Sequence, residues 1–141
     1  MERTFSGQAR ALAVGASVAL LALAGCSTPS PQENVSQACA ATETFSTSLE
    51  EFRATLTPDA TTEQLRSARD KVGESYDALV EEAGDVAEDR REELDTTVRD
   101  FREAVNEVPD DTKVPDALSS LREEANDVGT ALSDVESDLQ C

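Results

Sequence analysis

Apolar residues recur along most of this chain at gaps of three and four, the spacing of helices that bury one face. Val35, Ala38, Thr42, Phe45, Leu49, Phe52 and Leu56 alternate the two gaps strictly, as the a and d positions of a narrow helical seam do. Thr57-Pro58-Asp59 closes this first predicted helix, because proline disfavours helical geometry in the residue before it. Thr61 with Gln64 three residues on is a capping box that opens the next.

From Leu65 an apolar stripe runs through Ala68, Val72, Tyr76, Leu79, Ala83, Val86, Arg90, Leu94, Val98, Phe101 and Val105 to Val108. Its mean step is about 3.6 residues, the period of a straight helix with one face inward. Two forms follow. The stripe is one long helix, or it breaks at Gly84, a plausible C-terminal stop followed by Asp85 and Glu88 as a fresh capping box. Val108-Pro109-Asp110-Asp111 makes the next turn, and a last helix opens between Thr112 and Pro115. Its seam is Val114, Leu118, Leu121, Ala125, Val128, Leu132, Val135 and Leu139, and one glycine inside it, Gly129, costs only about 1 kcal/mol relative to alanine. No segment alternates apolar and polar residues as a strand would. The expected fold is all-α, an up-and-down antiparallel bundle of three helices if the long stretch is continuous and four if it bends at Gly84. The bent form buries more area; the straight form keeps the stripe in phase.

The N-terminal segment follows a different pattern. Arg3 and Arg10 precede 14 residues without charge, Ala11 to Ala24, a length suited to the apolar core of a secretory leader and short of a ~20-residue membrane span. That run ends in Leu23-Ala24-Gly25-Cys26, which resembles the lipobox of bacterial lipoproteins. The resemblance implies cleavage before Cys26, diacylation of its thiol and, in many cases, acylation of the new amine. The domains expected are a leader over 1–25, a Pro/Ser-containing tether over 26–34 and a helical body over 35–141.

Charge and cysteines agree with an exported protein. The full chain has 30 Asp+Glu against 12 Lys+Arg. Loss of residues 1–25 removes one acid and two bases, which takes the net charge from −18 to −19. Such a surplus excludes nucleic acid as a partner, since binding there requires cations to neutralise phosphates. It also disfavours adsorption on anionic lipid, so membrane contact is expected through acyl chains on Cys26 alone. With one of three cysteines lipidated, Cys39 and Cys141 remain as an even pair, and outside the cytoplasm that pair is expected to be a disulfide. Either helical topology brings the two together.

Candidate chemistry is sparse. The chain has no histidine, which removes Ser-His and Cys-His nucleophiles and the commonest metal ligand. The doublets Glu50-Glu51, Glu81-Glu82, Glu92-Glu93 and Glu123-Glu124 point about 100° apart on a helix and read as solvated faces. Asp110, Asp111 and Asp116 cluster at a turn but lack the spacing and glycine of an EF-hand loop. Arg90 falls on the apolar stripe and is expected to lie along the surface with its head in water; Tyr76 is expected at the core edge. No catalytic, cofactor or metal residue is assigned, and no enzymatic activity is expected.

The layout of lipobox, tether, early cysteine, helical body and terminal cysteine looks like small exported lipoproteins of high-GC Gram-positive bacteria, a group that carries no established activity to transfer. Two functions fit these residues. One is an envelope-anchored helical adaptor or spacer with an envelope protein as partner. The other is a carrier of a lipid or similar apolar molecule, held between helices lined by Ala38, Ala68, Ala83, Ala87 and Ala125.

Overall fold

A computed structural model describes residues 31–84, 88–110, 115 and 117–141. Four helices make up the body: α1 (Pro31–Thr55), α2 (Thr62–Ala83), α3 (Glu88–Asn106) and α4 (Leu118–Leu139). They form an up-and-down bundle with no strand among the described residues. α1 begins four residues ahead of Val35, so Pro31 to Asn34, assigned to the tether from composition, are helical. Proline is at home in a first helical turn, where its missing N–H is not needed, and Glu33 adds an acid that favours the helix N-terminus.

The long stripe is two helices. α2 ends at Ala83, and Gly84 takes φ +51° and ψ −125° while its N–H donates to the Val80 carbonyl at 3.3 Å. Only glycine adopts that region without strain, which is why the stop falls there. Asp85 and Val86 lie outside the described residues, so the second capping box does too. The first one forms in full: Gln64 N–H donates to the Thr61 hydroxyl at 3.2 Å, and the Thr61 N–H donates to the Gln64 side chain at 2.9 Å.

One hydrophobic core runs the length of the bundle, and every described seam residue of α2 to α4 other than Arg90 is part of it. In α1 the seam is buried from Ala38 onward, with Val35 half-buried. Phe52 and Phe101 cross the centre edge-to-face, their ring centroids 4.6 Å apart, and Phe45 meets Tyr76 at 5.9 Å. Helices pack most closely within two hairpins, α1 with α2 and α3 with α4. Ser48 and Ser75, small enough to let α1 and α2 approach, share a buried 2.6 Å hydrogen bond between their hydroxyls.

Candidate functional site: the cystine end and the seams between hairpins

Cys39, in the third turn of α1, and Cys141, just past α4, are joined by a disulfide with a Cα–Cα distance of 5.5 Å. The C-terminus of α4 is shaped to deliver it. Gln140 adopts a left-handed conformation (φ 60°, ψ 33°), its N–H donates to the Ser137 carbonyl, and the Cys141 N–H turns back to the Glu136 carbonyl at 3.0 Å. This is a Schellman turn in which glutamine occupies the place glycine usually takes.

Arg90 also lies at this end. Its side chain is 45 % exposed and pairs with Glu93 on its own helix at 3.7 Å and with Asp138 of α4 at 3.3 Å. The stripe position is therefore a surface tie between α3 and α4, with the guanidinium in water as expected. Arg91 donates to the Gly84 carbonyl and so ties the first turn of α3 to the end of α2.

Farther along, the seams between hairpins are bridged by long polar side chains. Across α1/α4, Arg53 donates to the Ala125 carbonyl at 2.6 Å and Arg122 donates to the Leu56 carbonyl at 2.9 Å. Gly129 makes room for the first of these: a Cβ there would lie 2.5 Å from the Arg53 guanidinium. The Nε of Arg53 is wholly buried and has no hydrogen-bond partner among the described residues. Across α2/α3, Arg66 pairs with Asp110 at 2.7 Å, Arg102 lies 3.5 Å from Asp77, and Arg69 donates to Asn106.

Tyr76 occupies the middle of the α2/α3 seam. Its hydroxyl donates to Asp95 at 2.9 Å, and the Arg102 guanidinium lies 5.8 Å from its ring centroid. Burial, reinforced by the hydrogen bond to the Asp95 carboxylate, pushes the phenol well above its ordinary value, so it stays neutral. On the other side of the bundle, partial burial and the nearby carboxylates of Asp127, Asp100 and Glu123 raise the carboxyl of Glu124.

The arrangement offers few chemical means. Ser48 and Ser75 are spent on each other and on backbone carbonyls. Among the described residues, no cluster of three or more acids or cysteines is placed to hold a metal ion. Asp110 is engaged by Arg66, while Asp111 and Asp116 lie outside the described residues. Cys26 and Ala87 do as well. The remaining alanines named for an apolar cavity, Ala38, Ala68, Ala83 and Ala125, are closed into the core. Grooves on the outside are open: one between α1 and α2 sets Ala54, Ala60 and Ala68 beside Glu51, Gln64 and Lys71, and a more polar one between α1 and α4 includes Ser46, Arg53, Asn126 and Thr130. No described helix is long and apolar enough to cross a membrane.

Sequence reasoning missed Arg53 and its Gly129 recess, since nothing in periodicity pairs residues 76 positions apart. No family model, curated protein or solved structure matches this chain.

Proposed function

We propose that the protein is an envelope lipoprotein, anchored by acyl chains on Cys26, whose helical body acts without catalysis as an adaptor or spacer for another envelope protein. The observation that carries this reading is the sequence Leu23-Ala24-Gly25-Cys26 at the end of a 14-residue uncharged run behind two arginines. A disulfide-clipped helical body is what an oxidising compartment sustains. The packing of the core alanines and the open, unenclosed form of the grooves favour the adaptor over the apolar-ligand carrier. With a mature net charge of −19, a basic partner is steered toward the surface at a rate that falls as salt rises.

Two measurements test the reading. Cys26→Ala releases the protein from the membrane fraction or stalls its processing; unchanged sedimentation with membranes refutes the anchor. Crosslinking on intact cells recovers a specific envelope protein at low salt and less of it at moderate salt; recovery no better than background at both refutes the adaptor.

A further inference from the structure

We infer that the bundle is a hinged clamp: its two hairpins are held together at the cystine end and latched by arginines at the opposite, free end, where they part without global unfolding. The two ends are joined in different ways. At the cystine end two covalent links run from hairpin α1/α2 to hairpin α3/α4, namely the Cys39–Cys141 disulfide and the chain itself between Gly84 and Glu88. At the other end each hairpin closes on itself, α1 into α2 by Leu56–Thr61 and α3 into α4 by residues 107–117, and no covalent link crosses.

What crosses there instead is the shared core and a set of arginine contacts. Arg122 holds the Leu56 carbonyl just past α1, Arg53 holds the Ala125 carbonyl of α4, and Arg66 of α2 holds Asp110 and the Val108 carbonyl beyond α3. Arg66 and Asp110 are exposed, so water competes for that pair, and the buried Nε of Arg53 is left unpartnered. Packing is closer within each hairpin than between them. A sub-global opening follows the weakest boundary, and here that boundary is the pair of seams α1/α4 and α2/α3 at the end that nothing covalent closes. Opening exposes buried core side chains near that end, among them Leu65, Val105, Leu121 and the Phe52–Phe101 pair that meets across the hairpins. The parted state is therefore sticky toward apolar surfaces, and the closed state is not.

Native-state hydrogen exchange on the full oxidised chain tests this. In the wild type, amides around Phe101, Val105 and Leu121 exchange through an opening that leaves those around Thr42, Leu79 and Val135 protected, with protection factors at least about tenfold apart. The double variant Arg66→Gln/Arg122→Gln speeds exchange at the free end by a further factor of about ten and changes the cystine end by less than about twofold. Reduction of the disulfide leaves only the chain between Gly84 and Glu88 to join the hairpins at that end, and exchange there rises toward that of the free end. A wild type in which both ends exchange at one common rate overturns the clamp. So does a double variant that accelerates both ends equally, which is the behaviour of a merely destabilised single unit.

Discussion

Replacing Cys39 with serine removes the bond that joins the first helix to the chain end after the last. The ring it opens spans a sequence separation of 102 residues. For a ring of this size the chain-entropy treatment gives roughly 4.7 kcal/mol, an upper figure because a compact unfolded chain has less freedom for the bond to remove. The native state loses little else: Cys39 is half-buried, and its neighbours Ala38 and Leu139 remain in the core. The expected cost is about 2–4 kcal/mol. At roughly 4–6 °C per kcal/mol for a domain of this size, the melting temperature drops by about 10–20 °C. The assay is helical circular dichroism against temperature, with and without reductant, on wild type, Cys39→Ser, Cys141→Ser and the double variant. All three variants and the reduced wild type melt together, because each deletes the same bond and the costs do not add. A reduced wild type within about 2 °C of the oxidised form refutes the bond's role. Additive losses in the double variant would show that each cysteine acts through its own contacts instead.

Other substitutions test single features. Gln140→Gly relieves a left-handed residue that glycine adopts freely, and urea denaturation is expected to show a gain of about 0.5–1 kcal/mol; a loss would mean that the glutamine side chain stabilises the turn. Gly129→Ala gains about 1 kcal/mol of helix propensity but drives the Arg53 guanidinium from the Ala125 carbonyl, a charge-assisted bond of roughly 1.5–3 kcal/mol; the expected result is net destabilisation, and a higher melting temperature refutes the recess. Tyr76 is the sole tyrosine and there is no tryptophan, so absorbance at 295 nm reports its ionisation alone. Its folded value lies above the ordinary value of about 10, so its contribution to stability is complete below that pH and is lost as pH rises through the folded value. Absorbance is expected to stay flat past pH ~10 and rise only beyond it or with unfolding; a normal titration near 10 refutes the burial of Tyr76 and its hydrogen bond to Asp95.

The helices and their buried faces were legible because burial along a helix leaves a period in the sequence. Leu65, Val72, Leu94, Phe101, Leu121 and Val128 all sit where that period puts them. The break at Gly84 was harder to read. Ala83 and Leu94 are 11 residues apart, about three helical turns, so the stripe resumes in phase after the turn and conceals it. Arg90, exposed in the middle of that interval, is the position where the stripe stops being a core face. Spacing had no access to pairings between helices. Ser48 with Ser75, Arg53 with Gly129 and Arg122 with Leu56 depend on rotation and axial register, which many sequences of the same period satisfy differently. The left-handed Gln140 was equally invisible, since nothing in residue type marks a glutamine for that conformation. Cysteine parity, by contrast, specified the one covalent bridge without any geometry.

The most direct test of the account is the intact mass of the protein isolated from its native membrane, followed by fragmentation of the N-terminal peptide. The account requires a chain that begins at Cys26, carries at least two acyl chains on that residue, and is two hydrogens lighter than the dithiol for the Cys39–Cys141 bond. A chain that retains residues 1–25, or one that begins near Cys26 with a free thiol and no lipid, contradicts it.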